Sequence, residues 1–410
     1  MLSHTILELR RISRILWVRV SLILGLAILS ALLTPIIDPL IPQVSKDRYS
    51  SDATLPILNI IANGMLAVTT FSLGIMVTTH RATADQTTPR IHRLLMDDTR
   101  TQSVLATFIG AFVFALVSII LYRAGYYTDS TSVIVFFMAV LVVAIIVVSI
   151  VRWIDHLSQL GSMDYALERA EQSAKETLES LKKWPALGAQ AFETTDDIPK
   201  DAQPIIAVQS GYLRLIDMER LGKLAAKADA QVYIDSLPGD TVLAGQTLAW
   251  ATGEPELERF VICFSIEGNR SHEQDARYAI QCLRETASKA LAPGINDPGT
   301  AVEVVVRLER LLWDWVRADP PDEPVRHACL HLRRLRTGIL LETAFGDIIR
   351  DGASFVDVLL TVNRALTNIG DVASEDANAA ARSLIEQVLA HGMAGLRTEV
   401  EKDTLRSGVG

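Results

Sequence analysis

Apolar residues are distributed unevenly along this chain. Four runs of membrane-spanning length, residues 20–37 (entered through 15–19), 55–79, 104–122 and 132–151, all lie before position 152. A helix rises about 1.5 Å per residue, so about 20 apolar residues cross the roughly 30 Å hydrocarbon layer. Each run meets that requirement. Arg19 is the one charge among them, and it sits at an end, where its long stem reaches the interface.

Beyond position 152 the pattern becomes that of a water-soluble fold. Ile154, Leu157, Leu160, Met163, Ala166, Ala170, Ala174, Leu178 and Leu181 recur at three to four. That period predicts one long helix continuing from the last span to about Trp184. Residues 185–204 read as a linker rich in turn-forming residues. From 205 to 267 short β-favouring runs follow, with a helix over 218–228. The stretch Leu237-Pro238-Gly239-Asp240-Thr241-Val242-Leu243-Ala244-Gly245-Gln246-Thr247-Leu248 alternates strands and turns. It looks like half of a lipoyl or biotinyl-type barrel, but no Lys occupies the hairpin turn those carriers modify, so a structural module is expected. Helices are then predicted at 300–317, 324–336, 344–350, 354–369 and 375–394, with one more strand at 338–342.

The expected fold class is therefore a domain of four transmembrane helices (1–152), followed by a stalk helix and linker (153–204). A small β-barrel-like module (205–267), a mainly helical part (268–401) and a frayed tail (402–410) complete an α+β cytoplasmic domain.

Composition supports this division. The 410 residues are 49% hydrophobic and 21% charged, which excludes a wholly soluble enzyme. Residues 1–152 hold 12 Lys and Arg against 8 acids, and the remainder 27 against 40. The acidic second part argues against nucleic acid as a partner. Arg10, Arg11, Arg14, Arg19, Arg81, Arg90, Arg93 and Arg100 flank one side of the spans, and only Lys46, Arg48 and Arg123 the other. The excess of positive charge places both termini in the cytoplasm and makes the N-terminal run an uncleaved anchor. Cys263, Cys282 and Cys329, widely spaced, suggest neither a disulfide framework nor a zinc site.

The spans contain no carboxylate or histidine that would suggest a proton relay. The second span does carry Asn59, Asn63, Ala67, Thr70, Gly74 and Thr78 within about 100° on a helical wheel. Asn59, Asn63, Thr70 and Gly74 are candidate pore-lining residues. The competing reading is close helix packing, in which small residues let backbones approach and Asn bonds across the contact. Ala111, Ala115 and Ser118 in the third span favour packing more clearly.

Two motifs stand out in the second part, Gly268-Asn269-Arg270-Ser271-His272-Glu273-Gln274-Asp275 and Ala292-Pro293-Gly294-Ile295-Asn296-Asp297-Pro298-Gly299-Thr300-Ala301. With them the chain resembles, over nearly its whole length, the bacterial predicted membrane proteins of domain of unknown function 2254. That family shows four spans, then an R-T-x-x-Q-D element and an S-P-x-I-N-D-P-x-T-A element at comparable spacing. Arg270, Gln274, Asp275, Ile295, Asn296, Asp297, Pro298, Thr300 and Ala301 match. Ser271 stands where the family usually has Thr, and Ala292 where it has Ser. The resemblance implies the topology, the fold and a bacterial inner membrane, and brings no activity.

Read on their own chemistry, Ser271 with Gln274 forms a capping box, and Asp297 before Pro298 an N-cap followed by Pro at the first helical position. The alternative is a site: Arg270 and two helix N-termini converging on a small anion, or Asp275, Asn296 and Asp297 on a cation. Arg270, Asp275, Asn296 and Asp297 are thus the candidate ligand or ion-binding residues. His327 and His331, four apart, have no identifiable third ligand, so no metal and no cofactor are expected.

Without a phosphate loop, a nucleophile elbow or a zinc-protease motif, the chain is not expected to be an enzyme. The primary expectation is a multi-pass inner-membrane protein in the lipid bilayer, a homo-oligomeric ion channel or transport protein gated or filtered by its cytoplasmic domain. The alternative is a membrane-anchored sensor or scaffold whose cytoplasmic domain binds a small ligand or protein partner.

Overall fold

The computed structural model describes residues 51–96, 99–127, 129–159, 162–253, 256–317 and 325–409, with the isolated positions Ser21 and Gly25. The first expected span, its arginines and the loop at 319–322 lie outside them. The chain divides into two compact units, Met1–Tyr165 and Ala166–Gly410.

The first unit contains α1 (Ser51–Gln86), α2 (Pro89–Met96), α3 (Thr99–Arg123) and α4 (Asp129–Gln159). Three stretches are long and apolar enough to cross a membrane, Ala53–Thr79, Ser103–Arg123 and Ser132–Leu157. They coincide with the second, third and fourth expected spans. Leu58, Ile61 and Met65 of α1 pack with Phe108 and Phe114 of α3 and with Val135, Ala139 and Val142 of α4. Ala111, Ala115 and Ser118 are buried, as small residues at a close helix contact should be. Ile60, Phe71, Phe137 and Val147 are exposed, an apolar outer face suited to lipid.

The single stalk helix expected through residue 184 is two helices. α4 ends at Gln159, and α5 (Met163–Lys183) starts afresh. The Tyr165 amide donates to Ser162 Oγ at 3.1 Å, a new N-terminal cap. From Ala166 on, α5 belongs to the second unit, where Glu171 accepts from Arg307 and Arg310 at 2.6 Å each.

The second unit follows with β1 (Ala189–Phe192), β2 (Gln203–Ile206), β3 (Gly211–Ile216), α6 (Met218–Lys227), β4 (Val232–Ile234), β5 (Thr241–Val242), β6 (Thr247–Ala251), α7 (Leu257–Val261) and β7 (Phe264–Glu267). Next come α8 (Ala276–Ala290), α9 (Pro298–Val316), β8 (His327–Arg333), α10 (Thr337–Asp351), α11 (Val356–Val372), α12 (Glu375–Gly395) and α13 (Glu399–Val409).

The strands do not close a barrel over 205–267. They form a five-stranded sheet in the order β1-β8-β4-β6-β2 and a three-stranded sheet in the order β5-β3-β7. The larger sheet takes β1 from the stretch read as a linker, and β8 from a segment read as helix. β8 lies parallel to both β1 and β4. The reason is burial with period two: Leu330 and Leu332 enter the core beside Val232, Ile234 and Ile205, while Cys329 and His331 point the other way. Conversely, 338–342 lies inside α10 and is no strand. Leu340, Leu341, Ala344, Phe345, Ile348 and Ile349 are all buried, a helical recurrence. The tail is also ordered: Leu405 of α13 is fully buried against Gly392, and Asn363 Nδ2 donates to Gly408 O at 3.0 Å.

Candidate functional site

The first motif begins one turn later than a capping box at Ser271 would require. Asp275 is the N-cap of α8, its Oδ1 accepting from the Tyr278 amide at 3.0 Å. Gln274, freed from capping, clamps the end of β3: it accepts from Ile216 N at 2.9 Å and donates to Ile216 O at 3.1 Å. Arg270 folds back onto Asp275, with Nε to Oδ2 at 2.8 Å and Nη2 to Oδ1 at 3.0 Å. Its Nη1 donates to Gln281 Oε1 at 2.8 Å, and the guanidinium lies 5.0 Å from the Tyr278 ring centre. Asp275 is only 2% exposed. The structure therefore brings Arg270 and Asp275 together in a two-pronged pair whose oxygens already serve the fold.

Asn296 and Asp297 lie elsewhere. They follow α8, whose 15 residues span about 22 Å from the Asp275 end. Asn296 takes a left-handed conformation with φ of 55°, which asparagine tolerates better than most residues. Asp297 caps α9, accepting from Thr300 N at 3.0 Å and from Thr300 Oγ1 at 2.6 Å, and these bonds hold its carboxyl below the usual range. Pro298 occupies the first helical turn. The four residues do not converge on one ligand.

The candidate pore residues Asn59, Asn63, Thr70 and Gly74 are all exposed, on the side of α1 turned away from its packed face of Leu58, Ile61 and Met65. Asn59 Nδ2 donates to Leu55 O at 3.0 Å and Thr70 Oγ1 to Leu66 O at 2.9 Å, so both serve their own helix. His327 and His331 share one side of β8 with Cys329. His331 stacks on Tyr233 at 4.3 Å, and Cys329 Sγ donates to Gly222 O at 3.5 Å. Among the described residues no three His, Cys, Asp or Glu side chains cluster as metal ligands.

What sequence reasoning missed is a cavity of about 470 Å³ in the second unit. Leu187, Leu335 and Trp315 supply apolar wall, and Lys182, Arg277, Arg333 and Arg334 supply positive charge. Arg277 is tied to Asp240 Oδ1 at 2.6 Å. Arg333 is held loosely, 3.4 Å from both Asp235 and Asp240, and Arg334 pairs with the exposed Glu193 at 3.2 Å. Exposed pairs of that kind are weak and are readily exchanged for another anion. Three helix starts also reach the cavity: Ala276 of α8, Thr337 of α10 and Ser374, the N-cap of α12. Their amide ends add positive potential.

One edge of the cavity is a left-handed turn. Ala186 and Leu187 have φ of 48° and 56°, conformations that cost an L-residue about 1–2 kcal/mol each. The turn is pinned where Arg326 N donates to Gly188 O at 2.7 Å and the Arg326 guanidinium lies over the Trp184 ring. Strained backbone beside a cavity is characteristic of ligand-binding sites. The one local sequence signal of this site is the run Arg333-Arg334-Leu335-Arg336.

Curated relatives give the chain no activity. It is similar to uncharacterized proteins of Mycobacterium tuberculosis and Mycobacterium bovis, each 25% identical over 287 residues, covering 65% of this chain and 55% of theirs. The chain thus spans about half the length of the curated relatives it matches. No solved structure matches it. The family model of the predicted membrane proteins of domain of unknown function 2254 matches residues 13–368, and the three apolar helices agree with that description. The chain belongs to that family.

Proposed function

We propose that this protein is a membrane-anchored receptor whose second unit binds a small organic anion with an apolar body. The carrying observation is the cavity that combines Trp315 and leucines with Lys182, Arg277, Arg333 and Arg334. Apolar walls with a few converging polar groups are what a small-ligand site requires: the walls contribute affinity, and the charges set orientation and specificity. The chain would sit in the bacterial inner membrane with its acidic second unit in the cytoplasm, as the arginine distribution favours.

The test is thermal unfolding of the detergent-solubilised full chain with naphthalene-2-sulfonate beside uncharged naphthalene-2-methanol. The sulfonate is expected to raise Tm and the alcohol to leave it unchanged, with the shift abolished in Arg333→Gln. Equal shifts from both probes, or a sulfonate shift that survives Arg333→Gln, would sink this reading.

A second reading, a homo-oligomeric ion channel, is favoured by the exposed stripe of Asn59, Asn63, Thr70 and Gly74 on α1. Polar groups on the outside of a spanning helix are expensive in lipid and call for a water path or another helix. Currents across a planar bilayer, altered by Asn63→Leu, would support conduction. Silence under varied salts and voltages would leave the stripe as a helix contact.

A further inference from the structure

The 470 Å³ cavity of the second unit offers a ligand many side-chain donors and few acceptors. Gln274 spends its carbonyl and its amide on Ile216. Asp275 is buried and accepts from Arg270 and from the Tyr278 amide. Thr337 Oγ1 already accepts from the Trp315 indole at 3.1 Å. Donors remain in surplus. Arg333 Nε is buried without a hydrogen-bond partner, and the Asp235 carboxylate stands 3.4 Å away from it. Arg334 gives one of its five N–H groups to Glu193, and Lys182 one of its three to Asp314 O.

The apolar lining is continuous. Leu237 and Leu332 belong to the core of the two sheets, and Ala186, Leu187 and Leu335 pack against that core. Beside this wall, the starts of α10 and α12 supply Thr337 and Ser374, and Gly338 N donates to Asp376 Oδ2 at 3.4 Å, which sets the two helix starts next to each other. The Ser374 hydroxyl makes no capping bond and can serve a ligand. Asp376 is neutralised by its pair with Arg336 and also feels the charge of Arg334. A hydroxyl, amino or ring N–H group brought against the leucines would be buried without an acceptor, which weakens binding by about tenfold or more. Nucleotides, sugar phosphates and amino acids all carry such donors.

We propose, resting on the receptor reading above, that the ligand is a single-chain hydrocarbon acid: an acidic head on a body that carries no hydrogen-bond donor. Arg333, Arg334 and the Ser374 hydroxyl hold the head, the guanidiniums through the fork that suits a carboxylate. The chain lies against Leu187, Leu237, Leu332 and Leu335. A cavity of about 470 Å³ holds a drug-sized molecule, so a chain of medium length fits and a two-chain phospholipid does not.

The experiment is isothermal titration of the detergent-solubilised full chain with decanoate, its terminally hydroxylated analogue and adenosine monophosphate, beside naphthalene-2-sulfonate. Decanoate is expected to bind about tenfold more tightly than the hydroxylated chain, and adenosine monophosphate to give no saturable heat. Arg334→Gln weakens decanoate several-fold. Leu187→Asn sets an amide in the leucine wall, at a left-handed position that asparagine tolerates, and should narrow the preference against the hydroxyl. With naphthalene-2-sulfonate binding, three results overturn the proposal: silence from decanoate, equal binding of the two chains, or saturable binding of adenosine monophosphate. A preference that Leu187→Asn leaves intact overturns it as well. Failure of the sulfonate and of decanoate together sinks the receptor reading itself, and the proposal with it.

Discussion

The Asp275 carboxylate occupies the space that a side chain on residue 239 would need. Gly239 has a φ of 91°, and a Cβ there would overlap Asp275 Oδ2. The turn between β4 and β5, which meets the start of α8 at Asp275, therefore depends on a glycine for both its conformation and its closeness. Gly239→Ala is expected to destabilise the second unit by about 3 kcal/mol or more, combining a left-handed alanine with a displaced buried ion pair. Asp275→Ala alone leaves Arg270 without its partner and should cost about 3–5 kcal/mol. The two changes should be strongly non-additive, since removing the carboxylate removes the overlap. Denaturant unfolding of the two single variants and the double variant measures this, and simple additivity would contradict it.

Gln274 poses a separate question, because it touches backbone only. Both polar groups of its amide are spent on Ile216 N and O, at 2.9 and 3.1 Å. Gln274→Leu would strand a donor and an acceptor, each worth about 1–3 kcal/mol when buried and unsatisfied. Gln274→Glu keeps the acceptor but sets a carboxylate against the Ile216 carbonyl. Both variants should lower the unfolding midpoint, and hydrogen exchange at Ile216 should rise in each. Unchanged exchange at that amide would refute the clamp.

The strained turn at the first cavity allows a stabilising prediction. Ala186 is held at a φ of 48°, where glycine is at ease. Ala186→Gly relieves about 1–2 kcal/mol of left-handed strain and gives back part of it as unfolded-state entropy, for a net gain of about 1 kcal/mol. A rise in Tm of the full chain is the expected outcome. A fall would mean that the Ala186 methyl contributes more by packing than its backbone costs.

The second, third and fourth spans were legible because their signal is local: twenty apolar residues announce themselves without reference to any partner. The same holds for Asp297, where Pro298 and Thr300 complete a helix start within four residues. β8 was harder to read, because His327 and His331 sit at a spacing that suits a helix, while the true period is carried only by Leu330 and Leu332. Its neighbours β1 and β4 are far off in sequence, and pairing with them decides the conformation. α10 misled in the opposite sense, since Ile339, Leu340 and Leu341 form a short apolar run that strands and helices share. The 470 Å³ cavity was illegible for the same reason at larger scale: Lys182, Arg277 and Arg333 come from three separate elements, and only the fold brings them together.

Thiol chemistry distinguishes the three cysteines. Cys263 and Cys282 are 2% and 0% exposed, and burial pushes the Cys263 thiol up to about 11. Cys329 is half-buried on β8. Thiolate, not thiol, reacts with iodoacetamide, so access and ionisation act in the same direction. Cys329 should be alkylated first on the folded chain at pH 7.5, with Cys263 and Cys282 protected until denaturant is added. Peptide mass spectrometry reads the order directly, and early modification of Cys263 would contradict its placement in the core.

The acid response of the second unit should also be traceable to β8. Burial pushes the His327 and His331 imidazoles below their ordinary value of 6.5, and Arg326 presses His327 further down. A histidine whose folded value is depressed takes up its proton more readily in the unfolded chain. The stability it contributes is therefore present above pH 6.5 and is lost as pH falls from there towards the depressed folded values. Asp376 and Asp297 are also lowered, by the Arg336 pair and by the Thr300 bonds, but their windows open only below about pH 4. Denaturant midpoints between pH 7.5 and 5.0 should thus fall before Asp376 and Asp297 titrate. The double variant His327→Gln, His331→Gln should flatten that fall. An unchanged slope in the double variant would move the acid sensitivity away from β8 and onto groups outside the sheet.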